Sequence, residues 1–253
     1  MQIRLNPEID LAAHAERLRR SSRIQIHDVF PDDVATGIAE CLRRGTPWRL
    51  VHSDERGEPV MVPAAELTAM PEPERQSRMM RILARASDSY QFIYNCYPII
   101  ETIKKGEDRG HPLHAFAEFM NGTDFIRFAR ELTGTPTLVK ADPQATLYSA
   151  GHFLNLHNDM THEAPGEMSS RRFAFVFGFT RAWNVNWGGN LVFYNPAGTA
   201  VEETWLPGFN VLSLFTVPTP HAVSYVAPFA EAGRYSITGW LRDDPSVSRP
   251  DLD

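Results

Sequence analysis

Four residues in the second half of the chain are of types and spacing that could do chemistry. They are His157 and Asp159 in His157-Asn158-Asp159, then His221, then Arg234 at the head of Arg234-Tyr235-Ser236-Ile237-Thr238-Gly239-Trp240. Two imidazoles and one carboxylate are the ligand set that holds non-haem Fe(II) on one face and leaves three coordination positions open. An arginine a short way beyond the second histidine has the planar fork needed to hold a dicarboxylate end-on. His-x-Asp alone is a weak signal; the ordered set carries the reading.

For these side chains to converge, the chain must place them on neighbouring strands. His157 and Asp159 share strand parity, so both can face one side. Arg234, Ser236, Thr238 and Trp240 share a face of another predicted strand, and an arginine buried there needs an anionic partner. That partner is a bound carboxylate or a structural Asp or Glu. Tyr148 precedes His157 by nine residues, and its hydroxyl is either a donor to the same carboxylate or part of the core. From Thr137 onward the pattern predicts about eight short strands parted by Gly, Pro and Asn turns, as in a sandwich, jelly roll or barrel. They run over 137–141, 145–148, 152–157, 172–179, 189–194, 210–216, 221–226 and 234–241.

The earlier part reads as support. Helices are expected over 11–20, from Pro31-Asp32-Asp33 to Arg44, over 62–87 with a break near Pro71 and Pro73, and over 114–120 and 124–132. Strands are expected over 23–29, 48–52 and 90–97. The organisation expected is a single catalytic domain over 1–253: a helical and mixed support (1–135), a jelly-roll core (136–242) and a frayed C-terminal tail (243–253). The fold class is mainly β with α support, the helices packed on one sheet.

Composition narrows the function classes. The formal charge is −6, from 25 Lys and Arg against 31 Asp and Glu, which gives no electrostatic reason for non-specific nucleic-acid binding. No apolar run is long enough to span a bilayer and the N-terminus has no signal core. Cys41 and Cys96 fit no metal or redox spacing and read as small hydrophobes. The expectation is a cytoplasmic protein, monomer or homodimer, that engages neither membrane nor nucleic acid.

The stretch from Ala145 to Arg242 resembles the prolyl-4-hydroxylase-like branch of the Fe(II)/2-oxoglutarate oxygenases. The residues that carry the likeness are Tyr148, His157-Asn158-Asp159, Trp187-Gly188-Gly189-Asn190-Leu191, His221 and the Arg234–Trp240 block. The resemblance implies a double-stranded β-helix. It implies His157, Asp159 and His221 as iron ligands, and Arg234 as anchor for the distal carboxylate of 2-oxoglutarate, with Tyr148 as a second contact. Thr238 and Trp240 would line the inner wall. Fe(II), 2-oxoglutarate and O2 follow as cofactor and cosubstrates, with ascorbate as a candidate addition. The implied reaction hydroxylates a prolyl or other amino-acid-type substrate, small-molecule or peptidyl, with release of succinate and CO2. The alternatives are a cupin-like metalloenzyme that does not use 2-oxoglutarate and a non-catalytic jelly-roll module.

Other residues are weighed beside these. Asn155 shares parity with His157 and is open between a pocket and a structural role. Trp183 and Trp187 lie in a loop, 181–189, where substrate elements could sit. His152 and His162 are expected at the surface or around the ligands. His111 and His114 are expected on a surface helix. Tyr90, Phe92, Tyr94 and Tyr97 are expected in the core rather than in a pocket.

Overall fold

The computed structural model describes residues 2–160 and 170–252. In chain order it has α1 (Leu11–Ser21), β1 (Arg23–His27), α2 (Asp32–Arg44), β2 (Arg49–Ser53), β3 (Pro59–Pro63), α3 (Ala64–Ala69), α4 (Glu72–Arg85), β4 (Phe92–Tyr97), α5 (Ile99–Lys105), α6 (Pro112–Asn121) and α7 (Thr123–Thr133). The strands β5 (Leu138–Tyr148), β6 (Phe153–His157), β7 (Ser170–Phe179), β8 (Leu191–Tyr194), β9 (Val201–Trp205), β10 (Phe209–Thr216), β11 (His221–Val223) and β12 (Arg234–Asp243) follow.

Local chemistry explains the helix starts. The Asp10 carboxylate accepts from the Ala13 amide and caps α1. Pro31 precedes α2, with Asp32 and Asp33 against the positive end of the helix dipole. In α7, Phe125, Ile126, Ala129 and Leu132 fall on one face and are buried.

The strands form a curled antiparallel sheet, a jelly-roll half-barrel, with the helices alongside. Hydrogen-bonded neighbours run β1-β10-β7-β12-β5-β4-β6-β11-β8-β9, and β2 joins β4 to β3. The sequence of β7 shows how the two faces are made. Phe173, Phe175, Phe177 and Phe179 point one way, into the main core with Phe116, Phe125 and Ile126 of the helices. Ala174 and Val176 point the other way and line a cavity. Large residues fill the helix side and small ones leave room inside the curl.

Several expectations change. The strands expected at 137–141 and 145–148 are one strand, β5. Pro143 sits opposite Gly239 of β12, and the pairing of β5 with β4 begins only at Ala145, so its missing N–H breaks no ladder on that side. Gly239 is required there, because a Cβ would fall 2.0 Å from the Asp142 carbonyl oxygen. The helix expected from 62 starts at Ala64, after β3. The tail is docked: Leu252 is buried in the main core, and Arg249 donates to the Val139 carbonyl at 2.8 Å. Among the described residues no helix is long and apolar enough to cross a membrane.

Candidate metal centre and its cavity

His157 ends β6 and His221 begins β11, and the two are direct register partners. Their ring centroids lie 4.1 Å apart. Each Nδ1 is placed to donate to a backbone carbonyl, His157 to Asn155 at 2.9 Å and His221 to Thr219 at 2.8 Å. Both Nε2 lone pairs are thereby left to one point, the usual way a protein orients imidazole ligands. Asp159 takes a left-handed turn (φ 60°), which an aspartate tolerates better than most residues. The turn brings its two carboxylate oxygens to 3.4 Å from His157 Nε2 and 3.5 Å from His221 Nε2. One donor atom from each residue lies within 4.8 Å of the others.

The electrostatics suit a cation. Burial pushes the Asp159 carboxyl up, but its close approach to the His157 and His221 rings outweighs this and brings it to about 2. Burial, then His157, lowers His221 to about 4, so this imidazole is neutral near pH 7. An ionised carboxylate beside two imidazole nitrogens is a set that fits Fe(II).

A cavity of about 470 Å³ opens from this centre into the curl. Arg234 lies at its deep end, 5% exposed. Among the described residues no carboxylate pairs with it; its guanidinium lies 5.1 Å from the centroid of the Tyr148 ring. Arg234 and Tyr148 are register partners on β12 and β5. Burial, partly offset by Arg234, holds the Tyr148 phenol well above its ordinary range, so it stays a donor. Thr238 and Trp240 also line the cavity.

Two residues weighed for the pocket, Asn155 and Trp187, lie elsewhere. Asn155 reaches the Ala86 carbonyl, because β6 carries a bulge: His221 faces His157 but Val223 faces Leu154. The extra residue breaks the parity that grouped Asn155 with His157, and Leu154 lines the cavity instead. Trp187 packs edge-on against Trp183 in a 3-10 turn and does not line the cavity. His152 is buried, with Nδ1 accepting from the Ser149 amide. His114 meets the Tyr97 hydroxyl, and His111 packs on the Tyr97 ring, so neither simply lies on a surface helix. His162 lies outside the described residues.

Conversely, Tyr90, Phe92 and Tyr94 line the cavity; only Tyr97 of that series turns to the main core. Arg171 was not expected there. Its guanidinium lies 3.5 Å from the Trp240 ring centroid and donates to the Asp159 carbonyl at 3.3 Å.

A curled antiparallel half-barrel with two histidines and an aspartate converging inside it has the architecture of the non-haem metal oxygenases. Residues 143–242 match the model of the 2OG-Fe(II) oxygenase superfamily. No curated protein sequence matches the chain. Solved structures share the fold at low identity. An oxidoreductase of the 2OG-Fe(II) oxygenase family from Burkholderia pseudomallei is 15% identical, over 95% of this chain and 93% of that one, with a TM-score of 0.59. A prolyl hydroxylase from Trichoplax adhaerens, solved with a hypoxia inducible factor peptide fragment, is 17% identical, over 92% and 89%, with a TM-score of 0.58. A Pseudomonas putida prolyl-4-hydroxylase is 19% identical, over 92% and 98%, with a TM-score of 0.53.

Proposed function

We propose that the protein is an Fe(II)- and 2-oxoglutarate-dependent dioxygenase that hydroxylates an amino-acid-type substrate, free or peptide-borne. The observation that carries this reading is Arg234: a buried guanidinium with no carboxylate partner among the described residues, at the deep end of the cavity that holds the metal ligands. An unpaired buried charge costs several kcal/mol, roughly, unless an anion meets it. The distal carboxylate of 2-oxoglutarate is such an anion.

His157, Asp159 and His221 would hold the iron. Bound there, Fe(II) supplies the redox chemistry that couples decarboxylation of 2-oxoglutarate by O2 to substrate hydroxylation, with succinate and CO2 released. The chain's residues bind and orient. Arg234 donates through its fork to the carboxylate, Tyr148 offers a second donor, and Thr238 and Trp240 form the wall beside it. The aromatic side of the cavity would exclude water once a substrate covers its mouth. In this proposal residues 1–253 act as one catalytic domain.

An anaerobic titration of the Fe(II)-loaded protein with 2-oxoglutarate, followed by visible absorbance, tests this. A saturable charge-transfer band is expected, and Arg234→Ala should weaken 2-oxoglutarate binding at least tenfold while iron binding persists. Iron binding with no band points instead to a metalloenzyme that does not use 2-oxoglutarate. An unchanged titration in the variant removes Arg234 from the assigned role.

A further inference from the structure

The cavity wall on β4 continues to the surface as a row of aromatic rings. Tyr90, Phe92 and Tyr94 alternate along the chain and contact in series, at 5.8 Å from Tyr90 to Phe92 and 5.8 Å from Phe92 to Tyr94. Tyr94 then stacks on Tyr148 at 5.1 Å. The row therefore reaches from solvent to the Arg234 end. Its outermost member, Tyr90, is 44% exposed, yet its ring lies 6.0 Å from that of His157. At the same mouth, Met160 is 63% exposed directly after Asp159, and it and Pro59 line the cavity with Tyr90.

Exposed aromatic and thioether surface gathered beside a metal centre marks a place where a ligand covers it. We infer that Tyr90 is the substrate-specificity residue of this cavity, and that the substrate presents an uncharged apolar group, a ring or a branched aliphatic chain, against the Tyr90 ring. The inference rests on the reaction proposed above and deepens it. Phe92 and Tyr94 lie further along the wall, towards the end assigned to the cosubstrate. Tyr90 alone in the row is both open to solvent and against a metal ligand, so a group packed on it stands beside the metal. Phosphorylated groups gain little from such a wall, and polyols gain only through their C–H faces. Apolar bodies gain most, because packing on the ring removes apolar surface of both partners from water.

The test uses L-proline, L-leucine and L-phenylalanine, each free and as the central residue of a capped tripeptide, with L-glutamate, L-lysine and glucose as controls. Binding is read by calorimetry on the Zn(II)-loaded protein with 2-oxoglutarate present, and succinate release on the Fe(II) form. An apolar probe should bind most tightly. Tyr90→Ala should raise its Kd and KM at least tenfold, while Tyr90→Phe stays within twofold, and 2-oxoglutarate binding should hold in both variants. The free and tripeptide arms distinguish a small molecule from a peptide side chain. The inference is overturned by a charged or polyhydroxyl probe binding best, by no apolar probe binding, or by an unchanged Kd in Tyr90→Ala. A wild type with no charge-transfer band would instead count against the cosubstrate assignment, and the calorimetry would still judge Tyr90.

Discussion

The ligand residues have separable jobs. Asp159 brings a charge to a point that two imidazole nitrogens already face, so Asp159→Ala should abolish turnover and lower Fe(II) affinity at least tenfold, measured by competition with a chromophoric chelator. Retained activity would mean that the ligand set is wrong. His152 offers a test of burial without metal. Its folded value is about 4 against an ordinary 6.5, with burial as the largest cause. The unfolded chain therefore binds more protons between those values, and stability falls as pH drops through that window. The ceiling on this loss is about 3 kcal/mol. Thermal melts from pH 7 to 4 should show a shallower decline in His152→Gln than in the wild type; parallel declines would place the acid sensitivity elsewhere.

At the scale of elements, the approach of β12 to β5 sets the inner wall. Gly239 stands between Thr238 and Trp240, and an added Cβ would meet the Asp142 carbonyl and the Phe175 ring. Gly239→Ala should destabilise the fold by about 3 kcal/mol in urea unfolding, because backbone cannot yield as a side-chain tip can. A change under about 0.5 kcal/mol would mean that the strands part easily there. The same elements explain what the sequence made legible. Alternation exposed the faces of β7 and β12, and with them Arg234, Thr238 and Trp240. It did not expose β9, whose Val201-Glu202-Glu203-Thr204-Trp205 is mostly polar, nor β3, which is short and bounded by prolines. Arg171 was hidden by an irregularity: Leu241 faces Phe173 but Arg242 faces Arg171, so parity fails one residue before it matters. The corresponding slip in β6 decides Asn155 for the structural of its two roles. Parity reads side-chain direction along regular strand, and both departures occur beside the site.

Across the whole molecule, two structures hold the curl open at the right width. One is the aromatic core behind it. Phe177 is fully buried, edge-on to Phe116 at 5.7 Å and beside Phe30 at 5.4 Å. Phe177→Ala should cost about 3–5 kcal/mol, read by denaturant unfolding, with metal affinity preserved at low temperature because no ligand touches that face. The other is the seam where the two ends of the sheet meet. Arg23 of β1 bonds Glu203 at 2.7 Å and Glu202 at 2.9 Å, both of β9. The ends are fastened there by side chains, so the seam should loosen with salt as the backbone ladders do not. Hydrogen exchange in β1 and β9 should rise between 0.05 M and 1 M NaCl in the wild type, and already be high in Arg23→Ala.

The bulge in β6 also separates a readable motif from a working one. Three residues of β6 span what two span on β11 between the His157–His221 pair and the Leu154–Val223 pair. Removing one residue from 155–156 would leave His-Asn-Asp, the distal histidine and the arginine intact and in order. Every pattern search would still score such a chain as an enzyme. Yet the strand would lose its half-step, and the first imidazole would be turned away from its partners. In this architecture the spacing ahead of the motif carries as much information about competence as the motif itself.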